Sequence, residues 1–284
     1  MIIVQFMGGL GNQMFQYALC EKLKSNGNVV KADIETGYKK DELRKYDIDI
    51  FQEIDIEKVD SNIYENYLKK AYKLKNRIIG KIFPYKKKIY NEKGMFFDSN
   101  IFRLRDAYIK GYWQSERYFL DIRNILLQKF KFPECRDEKN SQYLKQIKEG
   151  ISVSIHVRRG DYLTETNRKI YGNICTIEYY QKAIKYFEEK YPEVCFFVFS
   201  NDVKWTKENL QMRHAVYVEG NSEENGYKDM YLMTQCKHNI IANSSFSWWG
   251  AWLNQNEEKE VVAPSKWLNT EEVKDIWCEG WKLI

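Results

Sequence analysis

The fold is decided by the stretch Ile151-Ser-Val-Ser-Ile-His-Val-Arg-Arg-Gly-Asp-Tyr162. Its first half alternates apolar residues with small or polar ones, which is the period of a β-strand. Arg158 and Arg159 follow at the point where this strand should end. Guanidinium groups keep their charge, and burying one without a partner is very costly. Open α/β sheets bind ligands at the carboxyl ends of their strands, so this pair predicts an α/β fold with a diphosphate site at that edge.

A surface strand end with an ordinary arginine–aspartate pair is the alternative, and two other segments weigh against it. The first opens the chain, where an apolar strand runs into Gly8-Gly-Leu-Gly11 and then into a helix with Asn12 as its predicted N-cap. Met14 stands where a dinucleotide fingerprint needs its third glycine, and no Gly-Lys-Ser/Thr follows as in a P-loop. The bare N–H groups of such a turn predict a site for an anion or a sugar.

The second segment is His238-Asn-Ile-Ile-Ala-Asn-Ser-Ser-Phe-Ser-Trp-Trp-Gly-Ala-Trp-Leu253. A short strand over 239–242 leads to Asn243, Ser244 and Ser245, which are good N-cap residues, and then to an aromatic helix. Hydroxyls and free N–H groups at a helix start predict a second anion site. We expect core packing for at least two of the three tryptophans of the helix.

Length, net charge and cysteine content restrict the class of protein to which the chain can belong. The 284 residues suffice for one large or two modest α/β domains, and a net charge of +5 does not argue for nucleic acid but suits an anionic ligand. Six cysteines without CxxC spacing indicate free thiols in a reducing compartment. The chain opens with a strand and not a signal peptide, and no apolar run is long enough for a membrane span. We therefore expect a cytoplasmic protein, with peripheral contact to the inner face of the membrane as an open alternative.

Alternating strands and helices along the chain favour parallel sheets. The Arg136–Asn140 segment is polar and is predicted to be a linker before a helix, which places a domain boundary near residue 149. The predicted elements are strand 2–7, helix 13–25, strand 28–34, helix 140–149, strand 151–157, a helix capped by Thr176 that runs to about Lys190, strand 194–199, strand 215–218, helix 222–236 and strand 259–263.

Three motifs together resemble those of glycosyltransferase family 11, the α-1,2-fucosyltransferases, in their bacterial form. They are Gly8-Gly-Leu-Gly-Asn-Gln-Met-Phe-Gln-Tyr-Ala18, His156-Val-Arg-Arg-Gly-Asp-Tyr162 and Asn243-Ser-Ser-Phe-Ser-Trp-Trp-Gly-Ala-Trp252. Gly111-Tyr-Trp-Gln-Ser-Glu-Arg-Tyr-Phe119 also resembles a segment of the bacterial members. The motifs extend from the first residues to about residue 253, so the resemblance covers nearly the whole chain.

The resemblance implies a GT-B-like α/β fold of two Rossmann-like domains facing a cleft. Residues 1–149 would form the acceptor side with the glycine-rich loop, and residues 150–284 would bind GDP-fucose. The implied reaction transfers fucose, with inversion, to the 2-hydroxyl of a terminal β-galactose. It implies no metal and no cofactor, since GDP-fucose is a co-substrate. The acceptor stays open between lactose, other β-galactosides and a lipid-linked O-antigen repeat.

Donor-binding roles fall mainly on the second half of the chain. By resemblance to the wider fucosyltransferase superfamily, Arg158 binds the β-phosphate, where a fixed guanidinium would stabilise the charge that develops as the diphosphate leaves. Arg159 supports it or pairs with Asp161. The further donor candidates are His156, which is otherwise a core residue, Asp202, which binds guanine or closes a strand-end turn, Ser244, Ser245 and Phe246 beside the diphosphate or base, and Gly11 and Asn12 in the first motif.

Acceptor binding and proton transfer are less well specified by the sequence. Gln13, Gln114 and Glu116 are candidate acceptor contacts, while Asn12 and Gln13 could also reach the fucose. Inversion in one displacement needs a group that takes the proton of the attacking hydroxyl. Asp161, Glu116 and His156 are candidates for that base, and the departing phosphate is a fourth.

Residues 69–93 hold ten lysines and arginines against one acid, Glu92. Apolar residues recur among them at helical spacing, which is typical of a helix that lies on anionic lipid. The alternative is a solvated helix whose apolar face packs on its own domain.

Three rival functions remain open at this point. Asp47-Ile-Asp49 fits the Asp-x-Asp pattern of metal-dependent GT-A transferases. A GDP-fucose enzyme of another linkage, such as α-1,6 or protein O-fucosylation, would keep the donor site. A non-catalytic module that binds a nucleotide sugar or a glycan would keep the pockets without turnover.

Overall fold

The structure is a computed structural model that describes residues 1–41, 43–60, 62–135 and 137–284. It divides into two compact units. The first comprises Met1–Pro133 with Lys274–Ile276, and the second comprises Glu134–Val273 with Trp277–Ile284. The second unit thus begins some way before the predicted boundary near residue 149, because the helix that precedes this point packs into the second unit.

The first unit is built on a five-stranded sheet in which all paired strands are parallel. In chain order its strands are β1 (Ile2–Gln5), β2 (Val30–Asp33), β3 (Glu57–Lys58), β4 (Ile89–Asn91) and β5 (Ala107–Lys110). Its helices are α1 (Leu10–Ser25), α2 (Ile63–Tyr72), α3 (Leu74–Ile82) and α4 (Arg123–Lys129). The spatial order is β3-β2-β1-β5-β4, so β1, whose four residues are all buried, lies at the centre.

Helix α1 begins earlier than the sequence predicted. Its N-cap is Gly9 in extended backbone, and not Asn12, which lies inside the first turn. The apolar side of α1 packs into the core as predicted, with Phe15, Ala18 and Leu19 fully buried. The short strands β3 and β4 were not predicted from the sequence, whereas the stretch 69–93, with its helical spacing, contains the end of α2 and all of α3.

The second unit contains a six-stranded sheet in the order β11-β10-β9-β6-β7-β8, again with parallel pairs. Its strands are β6 (Ser152–Val157), β7 (Cys195–Ser200), β8 (Ala215–Tyr217), β9 (His238–Ile240), β10 (Val261–Ala263) and β11 (Lys282–Leu283). Its helices are α5 (Glu138–Glu149), α6 (Glu165–Tyr171), α7 (Ile177–Lys190), α8 (Val203–Asn209), α9 (Gly226–Gln235) and α10 (Ser245–Trp252).

Side-chain caps mark where several of these helices start. Thr176 caps α7 by accepting the N–H of Tyr179, as predicted. Asp137 caps α5 in the same way, so most of the predicted linker 136–140 forms the start of that helix; Arg136 itself lies outside the described residues. A carboxylate at an N-cap is a strong start signal that the linker prediction overlooked.

The three tryptophans of α10 are buried, which confirms their predicted core packing. Among the described residues, no helix combines the length and the apolar character needed to cross a membrane.

Candidate active site

Three strands of the second unit end side by side with polar sequence after them. In the parallel register, Val157 of β6 lies opposite Ser200 of β7, and Ile155 of β6 lies opposite Ile240 of β9. The residues that follow these strands therefore meet at one edge of the sheet. This edge is where doubly wound α/β sheets bind ligands.

Arg158 follows β6 directly and forms an ion pair at this edge. Its Nη2 lies 2.8 Å from Oδ1 of Asp161, and each side chain is about one quarter exposed. The guanidinium also lies 5.8 Å from the centre of the Tyr162 ring. A guanidinium that is part buried and paired with one carboxylate can exchange this partner for a phosphate, since both present bidentate oxygen acceptors.

Arg159 is held in a second, separate arrangement. Its Nε donates to Oδ2 of Asp202 at 3.1 Å, and its guanidinium stacks 3.8 Å from the centre of the Trp205 ring. Its backbone N–H donates to Oδ1 of Asn201 at 2.9 Å. Asp202 also caps α8 by accepting the N–H of Trp205, so it has the strand-end role that the sequence left as one of two options. Its contact to guanine stays a prediction.

Gly160 fits its position for two reasons. Its φ is +21°, and a Cβ there would lie 2.2 Å from Nδ2 of Asn201, which is the residue that orders the Arg159 backbone. A side chain at this point would displace Asn201, so the close approach of the two strand ends depends on glycine.

His156 lies on β6 just inside the edge and is 5% exposed. Its ring lies 5.5 Å from the ring of Phe246 at the start of α10, and its Nδ1 has no hydrogen-bond partner among the described residues. Burial and the neighbouring charge of Arg158 lower the pKa of His156 to about 3. The ring is therefore neutral near pH 7 and is a weak proton acceptor, which argues for binding and against a role as general base.

The start of α10 forms the third side of the edge. Ser244 is its N-cap residue in extended backbone, and within the described part of the chain no side chain caps the helix. The N–H of Trp248 donates to the carbonyl of Ser244, so the N–H groups of Ser245 and Phe246 lie in the first turn ahead of this bond and are available to an anion. Ser247 instead donates its hydroxyl to the carbonyls of Ala242 and Ser244.

Asn243 fixes the loop that presents this helix start. Its Nδ2 donates to the carbonyls of Tyr171 at 3.2 Å and Trp267 at 3.1 Å. Tyr162 donates its hydroxyl to the carbonyl of Asn243 at 2.9 Å, which joins the loop after β6 to the loop after β9. The backbone conformation at the start of α10 is thus set by side chains of the same motifs.

A pocket of about 400 Å³ lies along the loop after β10, on the same side of the sheet. Trp267, Asn269 and Trp277 are among its lining residues. Asn269 donates its side-chain N–H to the carbonyl of Gly172, and Trp277 donates its indole N–H to the carbonyl of Pro264. The sequence did not point to this loop, since its residues have no motif spacing.

The first unit has a polar edge of a different kind at the end of β1. Gly8 has φ +75°, and α1 starts immediately after it. The side-chain amide of Gln13, which is fully buried, donates to the carbonyls of Gly8 and Lys45 and accepts the N–H groups of Asp47 and Ile48. Its predicted contact to the acceptor stays a prediction, and the observed bonds give Gln13 a structural role.

Gln16 and Glu92 order the loop after β5 that carries the fourth motif. Gln16 Nε2 donates to the carbonyl of Gly111 at 3.2 Å. Both carboxylate oxygens of Glu92 accept backbone N–H groups, from Tyr112 at 2.7 Å and Trp113 at 2.9 Å. Trp113 is fully buried in the left-handed region with φ 58°, so the loop conformation is held against an unfavourable backbone angle. Gln16 and Glu92 were both missed by the sequence analysis.

Two predicted acceptor candidates lie in reach of this loop. Gln114 Nε2 donates to Oδ1 of Asn12 at 2.7 Å, and both side chains are half-buried. Glu116 opens a short 3₁₀ turn capped by Ser115. Gly11 is buried within α1. The predicted site residues therefore divide between the two units. The first unit contains Gly11, Asn12, Gln13, Gln114 and Glu116, and the second contains His156, Arg158, Arg159, Asp161, Asp202, Ser244, Ser245 and Phe246.

The Asp-x-Asp pattern has another explanation in the structure. Asp49 pairs with Lys58, with 2.6 Å between Oδ2 and Nζ, and Asp47 is the cap residue of a short 3₁₀ turn. Across the described ranges, no group of three or more His, Cys, Asp and Glu side chains is arranged to hold a metal ion. The GT-A reading therefore receives no support from this pair of aspartates.

The edge of the second unit is of the kind at which α/β proteins with parallel sheets bind their ligands. Comparison with known proteins narrows this class. The model of Glycosyl transferase family 11 matches residues 1–284. The chain belongs to this family and is a glycosyltransferase. The family predicted from three motifs is confirmed, as is the GT-B-like class in its two α/β units with parallel sheets.

Two bacterial relatives match over almost their whole length. The alpha-1,2-colitosyltransferase of Escherichia coli is 35% identical, over 100% of this chain and 98% of that protein. The O-antigen biosynthesis glycosyltransferase WbnK of Escherichia coli is 34% identical, over 96% of this chain and 97% of that protein. Human galactoside alpha-(1,2)-fucosyltransferase 1 is 29% identical over 53% of this chain and 44% of its own length.

Proposed function

We propose that this enzyme transfers L-fucose from GDP-β-L-fucose, with inversion, to the 2-hydroxyl of a terminal β-galactose. The observation that carries the proposal is the pair of part-buried arginines, Arg158 and Arg159, beside the start of α10. The α-1,2 linkage is supported by the names of relatives, which specify it for both fucose and colitose.

The second unit binds the nucleoside diphosphate. Arg158 exchanges Asp161 for the β-phosphate, and the N–H groups at the start of α10 bind the same diphosphate from the other side. As the bond between the sugar and the β-phosphate breaks, negative charge grows on that phosphate. A fixed guanidinium stabilises this charge more than that of the intact donor, which lowers the barrier. Because guanidiniums supply the positive charge, we propose that no metal ion is required.

His156 and Phe246 form the wall beside the diphosphate. The neutral His156 ring offers its unpartnered Nδ1 to the nucleotide or the sugar. Asp161 pairs with Arg158 before the donor binds, and this ion pair is given up when the β-phosphate takes its place. Of the bases predicted from the sequence, His156 is disfavoured by its lowered pKa, and Asp161, Glu116 and the departing phosphate stay candidates.

The first unit offers a neutral pair of amides, Asn12 and Gln114, to the acceptor sugar, and we call this pair the neutral edge. Galactose carries hydroxyls and no charge, and amide side chains such as those of Asn12 and Gln114 are the partners that hydroxyls need. The Asn12–Gln114 hydrogen bond fixes both amides so that their remaining donors and acceptors point in set directions. Gln13 holds the turn before α1, the helix that carries Asn12, while Gln16 and Glu92 hold the loop after β5 that carries Gln114.

Colitose is a second candidate for the transferred sugar, because the colitosyltransferase matches this chain over its full length. Colitose is fucose without its 3-hydroxyl. A site that hydrogen-bonds this hydroxyl rejects the analogue by roughly 10⁴–10⁵-fold, whereas a site that does not bind it separates the two by only about 10²-fold. The ratio of kcat/KM for the two donors therefore identifies the sugar for which the site is built.

The test is a product assay with GDP-fucose and GDP-colitose in separate reactions with lactose, in excess EDTA, followed by NMR assignment of the linkage. A fucosyl-α-1,2-galactose product supports donor, linkage and metal independence together. Efficient transfer from GDP-colitose alone would replace fucose by colitose. Binding of GDP without a product would keep the donor site and overturn lactose as the acceptor. If activity appears only after a divalent metal is added back, the proposed role of the arginines as the sole positive charges is wrong.

A further inference from the structure

The described part of the first unit carries an exposed apolar stripe that its fold leaves uncovered. Thirteen large apolar side chains of the described residues are exposed, and five of these lie between Tyr72 and Phe83. Three of the five, Leu74, Ile78 and Ile82, are on α3 and are 70%, 51% and 64% exposed. Their spacing of four residues places them on one side of that helix.

The opposite side of the same helix faces the protein. Gly80 is buried, and a Cβ there would lie 3.1 Å from Cγ of Lys87, so the helix rests closely on the following segment. Tyr67 of α2 is fully buried as well. Within the stretch 69–93, however, Tyr72 at the end of α2 is 70% exposed, as are the stripe residues of α3, so the predicted alternative of packing on their own domain is wrong for these side chains.

Positive charges border this stripe on both sides. At 100° per residue, Arg77 and Lys81 fall on one flank of the stripe and Lys75 falls on the other, while Lys73 precedes the helix. All four side chains are exposed, and within the described ranges no carboxylate lies at ion-pair distance from them. We call Leu74, Ile78 and Ile82 with these four cations the α3 face.

We propose that the α3 face docks the enzyme on an anionic lipid surface. A helix lying in the interface inserts large aliphatic side chains between the lipids, while flanking lysines and arginines stay at the level of the headgroups. The absence of acids on the face matches the negative surface of a bilayer that contains anionic lipid. This inference does not depend on which sugar is transferred.

Other occupants fit the same face less well. A second copy of the chain in a two-fold dimer would bring identical cationic rims together, which is repulsive. Single-stranded nucleic acid binds through aromatic stacking, and α3 presents aliphatic side chains at its centre. An acidic partner protein would satisfy the charges, and it becomes an outcome of the test.

The test is flotation of the full-length enzyme with vesicles of phosphatidylcholine, with or without a third of phosphatidylglycerol. One variant removes the cations through Lys73→Gln, Lys75→Gln, Arg77→Gln and Lys81→Gln. A second removes the stripe through Leu74→Gln, Ile78→Gln and Ile82→Gln. The matched control removes four exposed lysines of the second unit, through Lys145→Gln, Lys148→Gln, Lys182→Gln and Lys185→Gln. GDP binding by calorimetry shows that each variant remains folded.

We expect the wild type and the control to float with the anionic vesicles and to stay behind with phosphatidylcholine alone. Removing the cations should weaken the partition by roughly 10²–10³-fold, and removing the stripe by roughly 10²-fold. No flotation of the wild type would overturn the proposal. Equal loss in the control would show that net charge is responsible and not this face. Undiminished binding by the stripe variant would mean that the association is electrostatic alone, and docking by insertion of the α3 stripe would be wrong.

Discussion

The two units place opposite kinds of polar groups after the strands of their sheets. In the second unit, Arg158 and Arg159 are about one quarter exposed, and each is paired with a single carboxylate of its own edge. In the first unit, Gln13 and Gln16 are fully buried and bonded to backbone groups. An exposed pair can exchange its partner for a ligand, whereas a buried and saturated amide can only hold the backbone. The comparison distinguishes the two arginines, which we propose bind the ligand, from the two glutamines, which hold the backbone of the site.

The largest effect is expected at Arg158. Arg158→Ala removes the charge that we place on the leaving β-phosphate, and loss of one such group typically costs about 10²–10³-fold in kcat or more. We expect kcat to fall by at least about 10³-fold, because the lost group is charged and acts mainly on the transition state. Steady-state kinetics with GDP-fucose and lactose measure the effect.

Arg213→Ala serves as the matched control, since Arg213 is an exposed arginine of the same unit whose Nε lies 3.7 Å from Glu188. Circular dichroism and thermal melting check that both variants remain folded. Normal turnover by a folded Arg158→Ala enzyme would remove the leaving-group role and with it the proposed function of this edge.

Gln13→Ala tests the structural role of Gln13 in the first unit. The substitution leaves two carbonyls and two N–H groups of the loops without their partner in a buried place. Unpaired buried groups cost about 1–3 kcal/mol each before relaxation, so we expect the free energy of unfolding to fall by about 2–4 kcal/mol. Melting temperatures should fall by roughly 5–12 °C.

The exposed Gln52 of the same unit provides the control through Gln52→Ala, which should leave the melting temperature unchanged. If Gln13→Ala melts like the wild type but raises KM for the acceptor, then Gln13 contacts the sugar as the sequence predicted and the structural role is wrong.

The second unit was easier to predict from the sequence than the first. Arg158 and Asp161 are neighbours in the chain, and the strand before them shows its period plainly, so the local pattern identified the edge. The bonds that build the first edge join residues far apart in the chain, such as Gln16 and Gly111. Periodicity carries no information about such contacts.

Capping and strand length account for other differences. Asn12 is a good N-cap residue, yet its side chain bonds to Gln114, which lies 102 positions away, and Gly9 becomes the cap. Strands β3 and β4 contain two and three residues, too few to show an alternation. They form because β2 and β5 present open edges for pairing. Tertiary pairing therefore decides what local propensity leaves open.

The free energy of unfolding should depend on pH through His156, whose buried ring lies at the edge that carries the two arginines. In the unfolded chain the pKa of His156 returns to about 6.5, whereas burial and Arg158 hold it at about 3 in the folded chain. Below pH 6.5 the unfolded chain therefore binds a proton that the folded chain does not, and stability falls as the pH falls. The loss is about 1.4 kcal/mol per pH unit, or about 2 kcal/mol at pH 5.

Denaturant unfolding at about pH 7.5 and about pH 5 measures this loss, which His156→Asn should remove from the pH dependence of unfolding. His238 is also buried with a lowered pKa, so some loss of stability in acid will persist in that variant. His214→Asn changes an exposed ring and is the control. If the free energy of unfolding falls equally with pH in His156→Asn and in the wild type, then His156 is not kept neutral in the folded enzyme.

The smallest effect is expected at the neutral edge. A change there tests whether acceptor binding and donor binding are divided between the two units. Gln114→Ala removes one hydrogen bond between half-buried neutral side chains, from Gln114 to Asn12. Such a bond contributes about 0.5–1.5 kcal/mol, so KM for the acceptor should rise by roughly 2- to 10-fold. The affinity for GDP should stay unchanged, because the proposed diphosphate contacts lie in the second unit. Acceptor titrations and GDP calorimetry on the same variant measure both quantities. A loss of GDP affinity with an unchanged acceptor KM would assign the neutral edge to the donor, and the division of roles between the two units would then be wrong.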